Sequence, residues 1–98
     1  MGMMENVFDA YVDAWLAETQ GYSSISSITR HPNFGAIVSM GLPAMEFILA
    51  RMERGEVHVH WFPALKEISG GADPVPPNER GNLNQMAVRW IEWGRRLG

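Results

Sequence analysis

Ninety-eight residues favour one domain over 1–98, large enough for a real but thin core. With 46% hydrophobic and 19% charged residues the chain lies far from the disordered regime, and the absence of cysteine excludes disulfides, thiolate zinc sites and a thiol nucleophile. A net charge of −3 argues against general nucleic-acid binding, and no apolar run approaches the roughly 20 residues needed to cross a bilayer.

Met1-Gly2-Met3-Met4 leads straight into Glu5, without the basic-then-apolar pattern of a signal peptide, so the expected location is cytoplasmic. The first helix is predicted over Glu5 to Gln20. Phe8, Tyr11, Val12, Trp15 and Leu16 fall at spacings of three and four, an apolar stripe, and Gly21 stands where a C-terminal cap belongs. The run from Tyr22 to Ser27 is serine-rich and reads as a loop or one short helical turn, because serine competes locally for backbone hydrogen bonds. His31 precedes Pro32 and is pushed out of helical geometry. Pro32 then opens a short helix carrying Phe34, Ile37, Val38 and Met40, which Gly41 ends.

Pro43 repeats the device. Ala44, Met45, Phe47, Ile48, Leu49 and Met52 give its helix a broad apolar face, and Gly55 stops it. Val57-His58-Val59-His60 alternates, yet nothing nearby could pair with it as a second strand. Trp61 to Ser69 forms the next helix, with Pro63 tolerated in the first turn, and the stretch from Val57 to Gly71 is expected at the middle of the core. Gly70 to Gly81 is the longest loop, extended by its prolines. Asn82 and Gln85 make a capping-box pattern ahead of a last helix lined by Leu83, Met86, Ala87, Trp90 and Ile91. The expected core comprises Phe8, Val12, Trp15, Ile37, Phe47, Ile48, Leu65, Ile68, Met86 and Trp90.

Two resemblances accompany this pattern. Ser39 to Leu49 and Trp61 to Gly70 look like the paired helices of HEAT-type repeats, although no repeat period exists and a solenoid needs about three units. His31-Pro32, Met40-Gly41, Trp61-Phe62-Pro63-Ala64-Leu65, Gly71-Ala72-Asp73-Pro74-Val75-Pro76 and Trp90-Ile91-Glu92-Trp93-Gly94 resemble a set of short uncharacterised bacterial helical proteins, some of them carried on mobile elements. That likeness implies a fold and brings no activity with it. The expected architecture is all-α: a small irregular bundle of about five helices with HEAT-like packing.

Charge divides the chain. Glu5, Asp9, Asp13 and Glu18 have no base among them, whereas Arg80, Arg89, Arg95 and Arg96 have only Glu92. Glu5, Asp9 and Asp13 step by four and form an acidic strip, which is either a solvated face or a docking strip for a basic partner. Arg89, Trp93, Arg95 and Arg96 offer cations beside an aromatic ring, the elements of phosphate and base contact, or else a solvated helix end. His58 and His60, with His31 or Glu56, supply nitrogen and oxygen donors of the kind zinc, nickel or copper accepts, but lack a third ligand at a recognisable spacing. His60 with Glu56 or Glu67 could exchange protons near neutrality, yet no nucleophile, phosphate loop or paired-carboxylate motif joins them.

The reading favoured is a non-enzymatic protein–protein interaction module, of the kind a mobile element's regulator or inhibitor supplies. It has no catalytic, cofactor or metal residues, and a partner-binding set of Glu5, Asp9, Asp13, Arg89, Trp93, Arg95 and Arg96. Self-association stays open. A nucleic-acid accessory protein using the C-terminal helix is the second reading, and a small metal-dependent enzyme around His58 and His60 the third.

Overall fold

In the computed structural model, which describes residues 2–19 and 25–97, the expected stripes become helices that close on one core. Helix α1 (Met3–Glu18) buries Phe8, Val12 and Trp15, three side chains on one line. Each contributes roughly 1.5–3 kcal/mol on leaving water. The proposed cap at Gly21 lies outside the described residues. Of the serine-rich run, Tyr22 to Ser24 lie outside the described residues and Ile25 to Ser27 begin a single short helix, α2 (Ile25–Thr29), from which Ile28 enters the core.

His31 leaves helical geometry as its proline neighbour demands, and its ring Nδ1 accepts the Asn33 backbone N–H to cap α3 (Pro32–Ser39). Between α3 and α4 (Leu42–Glu53) the chain bends by 107° at Gly41, whose φ of 73° suits glycine and few other residues. Helix α4 buries Ala44, Met45, Ile48 and Met52. No strand forms at Val57–His60, nor elsewhere among the described residues.

Helix α5 (Trp61–Ile68) places Trp61, Phe62, Ala64 and Leu65 in the core, and the Trp61 indole donates to the Glu56 carbonyl at 3.0 Å. The proline loop is more structured than its composition suggests: Val75 is buried, and Pro77–Glu79 forms a 3-10 turn. Asn82 caps α6 (Leu83–Leu97) by accepting the Gln85 N–H at 3.2 Å, while its own N–H donates to the Glu79 carbonyl. The proposed capping box is therefore half of one, closed on its other side by the 3-10 turn.

Helices α3 and α4 share the packing, with α1, α2 and α5 against α3 and α1, α5 and α6 against α4, so the Val57–Gly71 stretch reaches both of them through α5. Helix α6 approaches closely at Gly94, where a β-carbon would fall 2.5 Å from Leu49 Cδ1. The Cα radius of gyration, 12.7 Å, matches the roughly 13 Å expected of a compact chain this long. Among the described residues six α-helices make up this all-α bundle, one of them only five residues long. No described helix is long and apolar enough to cross a membrane.

Candidate partner-binding surface

The fold neutralises much of the charge asymmetry by pairing residues far apart in sequence. Asp9 accepts a hydrogen bond from Arg51 of α4, which also donates to Glu56 at 2.8 Å. The Arg51 guanidinium lies 5.6 Å from the centre of the Phe8 ring. Burial alone would lower the Arg51 pKa, but the hydrogen bonds it donates to Asp9 and Glu56 outweigh it and raise it above the ordinary value. Asp9 therefore belongs to a clamp joining α1 to α4. Glu5 is half-buried on the same strip, and exposed Asp13 makes no ion pair among the described residues.

The arginines of α6 are engaged likewise. Arg89 grips Glu79 with two hydrogen bonds of 2.8 Å, tying the helix to the 3-10 turn, and reaches Glu92 at 3.4 Å. The bidentate bond raises the Arg89 pKa and lowers that of Glu79, so both stay charged near neutrality. Arg95 reaches Glu53 of α4 at 2.9 Å. Trp93 is half-buried and meets Trp90 edge-on, ring centres 5.2 Å apart. Of the three arginines singled out on this helix, only Arg96 has no ion pair among the described residues. No ion pair joins α1 to α6 there either.

The histidines separate by role. His31 Nδ1 accepts the capping N–H, so its Nε2–H donates to Glu18 at 2.7 Å. His60 Nε2 lies 2.7 Å from the hydroxyl of buried Thr19, and that hydroxyl donates to the Trp15 carbonyl at 2.5 Å. A carbonyl only accepts, so the hydroxyl proton is committed and His60 must donate through Nε2–H. Its Nδ1 is left as a buried lone pair without a partner. Burial, then the neighbouring His58, lowers the His60 pKa below 6.5, which fits this neutral tautomer. His58 lies 3.6 Å from Glu56, a carboxylate Arg51 already holds. No group of three metal-ligating side chains converges among the described residues.

Beside these engaged polar groups lies a surface with no charged lining. Met3, Met4, Val7 and Tyr11 of α1 face Ala36, Ser39 and Met40 at the end of α3 across an open groove of about 600 Å³. Met3 is 82% exposed, Met4 51% and Val7 40%. Tyr11 belongs to the predicted core stripe, whereas Met3, Met4 and Val7 have no role expected from the sequence. Their spacing was the available signal, because positions 3, 4, 7 and 11 form a second apolar line beside Phe8, Val12 and Trp15. A smaller cavity, about 240 Å³, lies between α5, the proline loop and α6, lined by Phe62, Lys66, Val75 and Trp90 among others.

No protein-family model matches this chain, and neither a curated protein nor a solved structure shows significant similarity to it.

Proposed function

We propose that this chain is a non-enzymatic protein-interaction module whose contact surface is the apolar groove between α1 and α3. Its occupant is a partner α-helix presenting an uncharged apolar stripe. The observation that carries this reading is the concentration of exposed Met3, Met4 and Val7 beside a groove with no charged lining residue. A line of apolar side chains with a trough next to it is the surface that ridge-into-groove packing of another helix covers. Methionine suits it, since its unbranched side chain adapts to the shape it meets.

The alternative surfaces support this choice by what they already do. Asp9, Arg89 and Arg95 are each held by an intramolecular partner, so their charge is already engaged within the fold. His60 has one ring nitrogen on Thr19 and the other buried, so in this arrangement neither faces a substrate. A regulator or inhibitor acts through occupancy of such a surface, without chemistry of its own.

The test uses a fluorescently labelled Leu/Lys amphipathic helical peptide as the probe and follows its anisotropy. Wild type is expected to bind it, Val7→Asp to lose binding by at least tenfold, and Asp13→Lys to change it only through salt-sensitive steering. Equal binding by wild type and Val7→Asp, with loss in Asp13→Lys, would transfer the function to the acidic strip.

A further inference from the structure

We infer that the cavity between α5, the proline loop and α6 is a binding site for a small aromatic carboxylate with a single ring. It is a site separate from the α1–α3 groove, and the inference does not rest on the interaction-module reading. The volume, about 240 Å³, sets the size of the occupant. An apolar cavity of roughly 150 Å³ holds a benzene ring, so this one suits a ring with a short acidic arm. The floor selects the body. Phe62, Val75 and Trp90 belong to the buried core and also line the cavity, so two aromatic rings and an isopropyl group meet whatever enters. Aromatic rings gain from offset or edge-to-face contact with another ring, a gain that an aliphatic tail does not offer.

The lining charges select the head group. They are Lys66, Arg80 and Asp73, and two cations with one carboxylate leave a net charge of +1. Arg80 donates to Asp73, so that pair is internally balanced. The Lys66 ammonium has no hydrogen bond or ion pair among the described residues, and it stands in the last turn of α5 above the apolar floor. Arg80 also keeps guanidinium N–H donors beyond the one it gives Asp73, so both cations can donate to one carboxylate. A monoanion matches the net charge. A dianion such as a phosphate monoester would bring its second charge against Asp73. Because the walls come from three segments of the chain, an occupant ties them together and stabilises the fold.

Phenylacetate is the probe, added to the full chain labelled with ¹³C-methyl methionine. Met86 lines this cavity, whereas Met3, Met4 and Met40 lie at the α1–α3 groove and Met45 and Met52 in the core. Phenylacetate is expected to move the Met86 resonance alone, to saturation, and to raise the melting temperature. Its neutral isostere phenylacetamide should bind about tenfold more weakly, having lost the charge-assisted hydrogen bonds. Phenyl phosphate should bind no better than phenylacetate. Lys66 is exposed, so Lys66→Gln should keep the helical circular dichroism spectrum while weakening phenylacetate about three- to fivefold. Asp73→Asn removes the opposing carboxylate and should tighten it by about as much, a gain that a merely structural role for Asp73 would not give. An unmoved Met86 resonance, phenylacetamide binding as tightly as the acid, or Lys66→Gln binding as tightly as wild type would each overturn the inference.

Discussion

Helix α1 has two apolar faces that differ in what they meet. Phe8, Val12 and Trp15 are fully covered by the other helices, whereas Met3, Met4 and Val7, on the same helix and of similar chemistry, remain exposed beside a trough. The difference shows that apolar periodicity states which side chains require cover, and that the supply of covering helices decides which of them obtain it. On this helix, supply runs out over its first turns, at Met3, Met4 and Val7 beside the end of α3.

The largest way to sharpen the contrast is to empty one face and then the other. Trp15→Ala removes a fully buried indole and its bond to the Ile28 carbonyl. It should cost about 3–5 kcal/mol, read from the denaturant midpoint. Val7→Ala should change stability by less than about 0.5 kcal/mol. Similar losses for the two would mean that the exposed face is also core.

Next comes the charged strip, whose members ought not to behave alike. Asp9→Lys sets a second cation against Arg51 and should cost about 1–2 kcal/mol, since Arg51 is largely buried while Asp9 is half-exposed. Asp13→Lys should stay within about 0.5 kcal/mol of wild type. Equal effects would mean that the Arg51 clamp contributes nothing.

Acid supplies a third and smaller effect. His60 has a pKa below 6.5 in the folded chain, whereas in the unfolded chain it takes up a proton near 6.5. Below that pH the unfolded state binds more protons, so this ring's contribution is complete above 6.5 and is lost as pH falls through the folded value. His60→Gln keeps an amide N–H for Thr19 and cannot titrate. Thermal melts from pH 7.5 to 5 should therefore show a shallower acid-side decline for it than for wild type. Parallel declines would remove His60 from the account.

The smallest effect belongs to the exposed Arg95–Glu53 pair. Arg95→Ala should shift stability by no more than about 0.5 kcal/mol, a difference that salt erases. A loss above a kilocalorie would make this contact part of the α4–α6 joint.

Much of the architecture was legible in advance because spacing alone marked it. Phe8, Val12, Trp15, Ile37, Ile48, Leu65 and Trp90 are buried as their stripes predict, while Phe47, Ile68 and Met86 sit partly buried against the same cluster. Pro32 and Pro43 marked the helix starts because their rings disfavour any interior position. What stayed hidden depends on contacts between distant segments. Asp9 and Arg51 are 42 positions apart, as are Arg95 and Glu53, so a charge count along the chain could not pair them. Buried Thr19 continues the spacing of Phe8, Val12 and Trp15, but its hydroxyl kept it out of an apolar stripe, because a threonine is covered only when a partner such as His60 satisfies that group. Val75 was equally silent within a loop of prolines. The groove is a different kind of miss. Its α1 side was already written at positions 3, 4, 7 and 11, but its α3 side exists only once the two helices pack together.

The central claim is that this groove, and no other surface, receives a helix. The most direct test is the methyl spectrum of protein labelled with ¹³C-methyl methionine, recorded while the Leu/Lys helical peptide is added. Met3, Met4 and Met40 border the groove, whereas Met45 and Met52 are buried and serve as internal controls. The account predicts that the first three resonances move together and saturate while the two core resonances stay still. Shifts confined to Met86, at the opposite cavity, or no shift at Met3, Met4 and Met40 while the peptide binds, would contradict it.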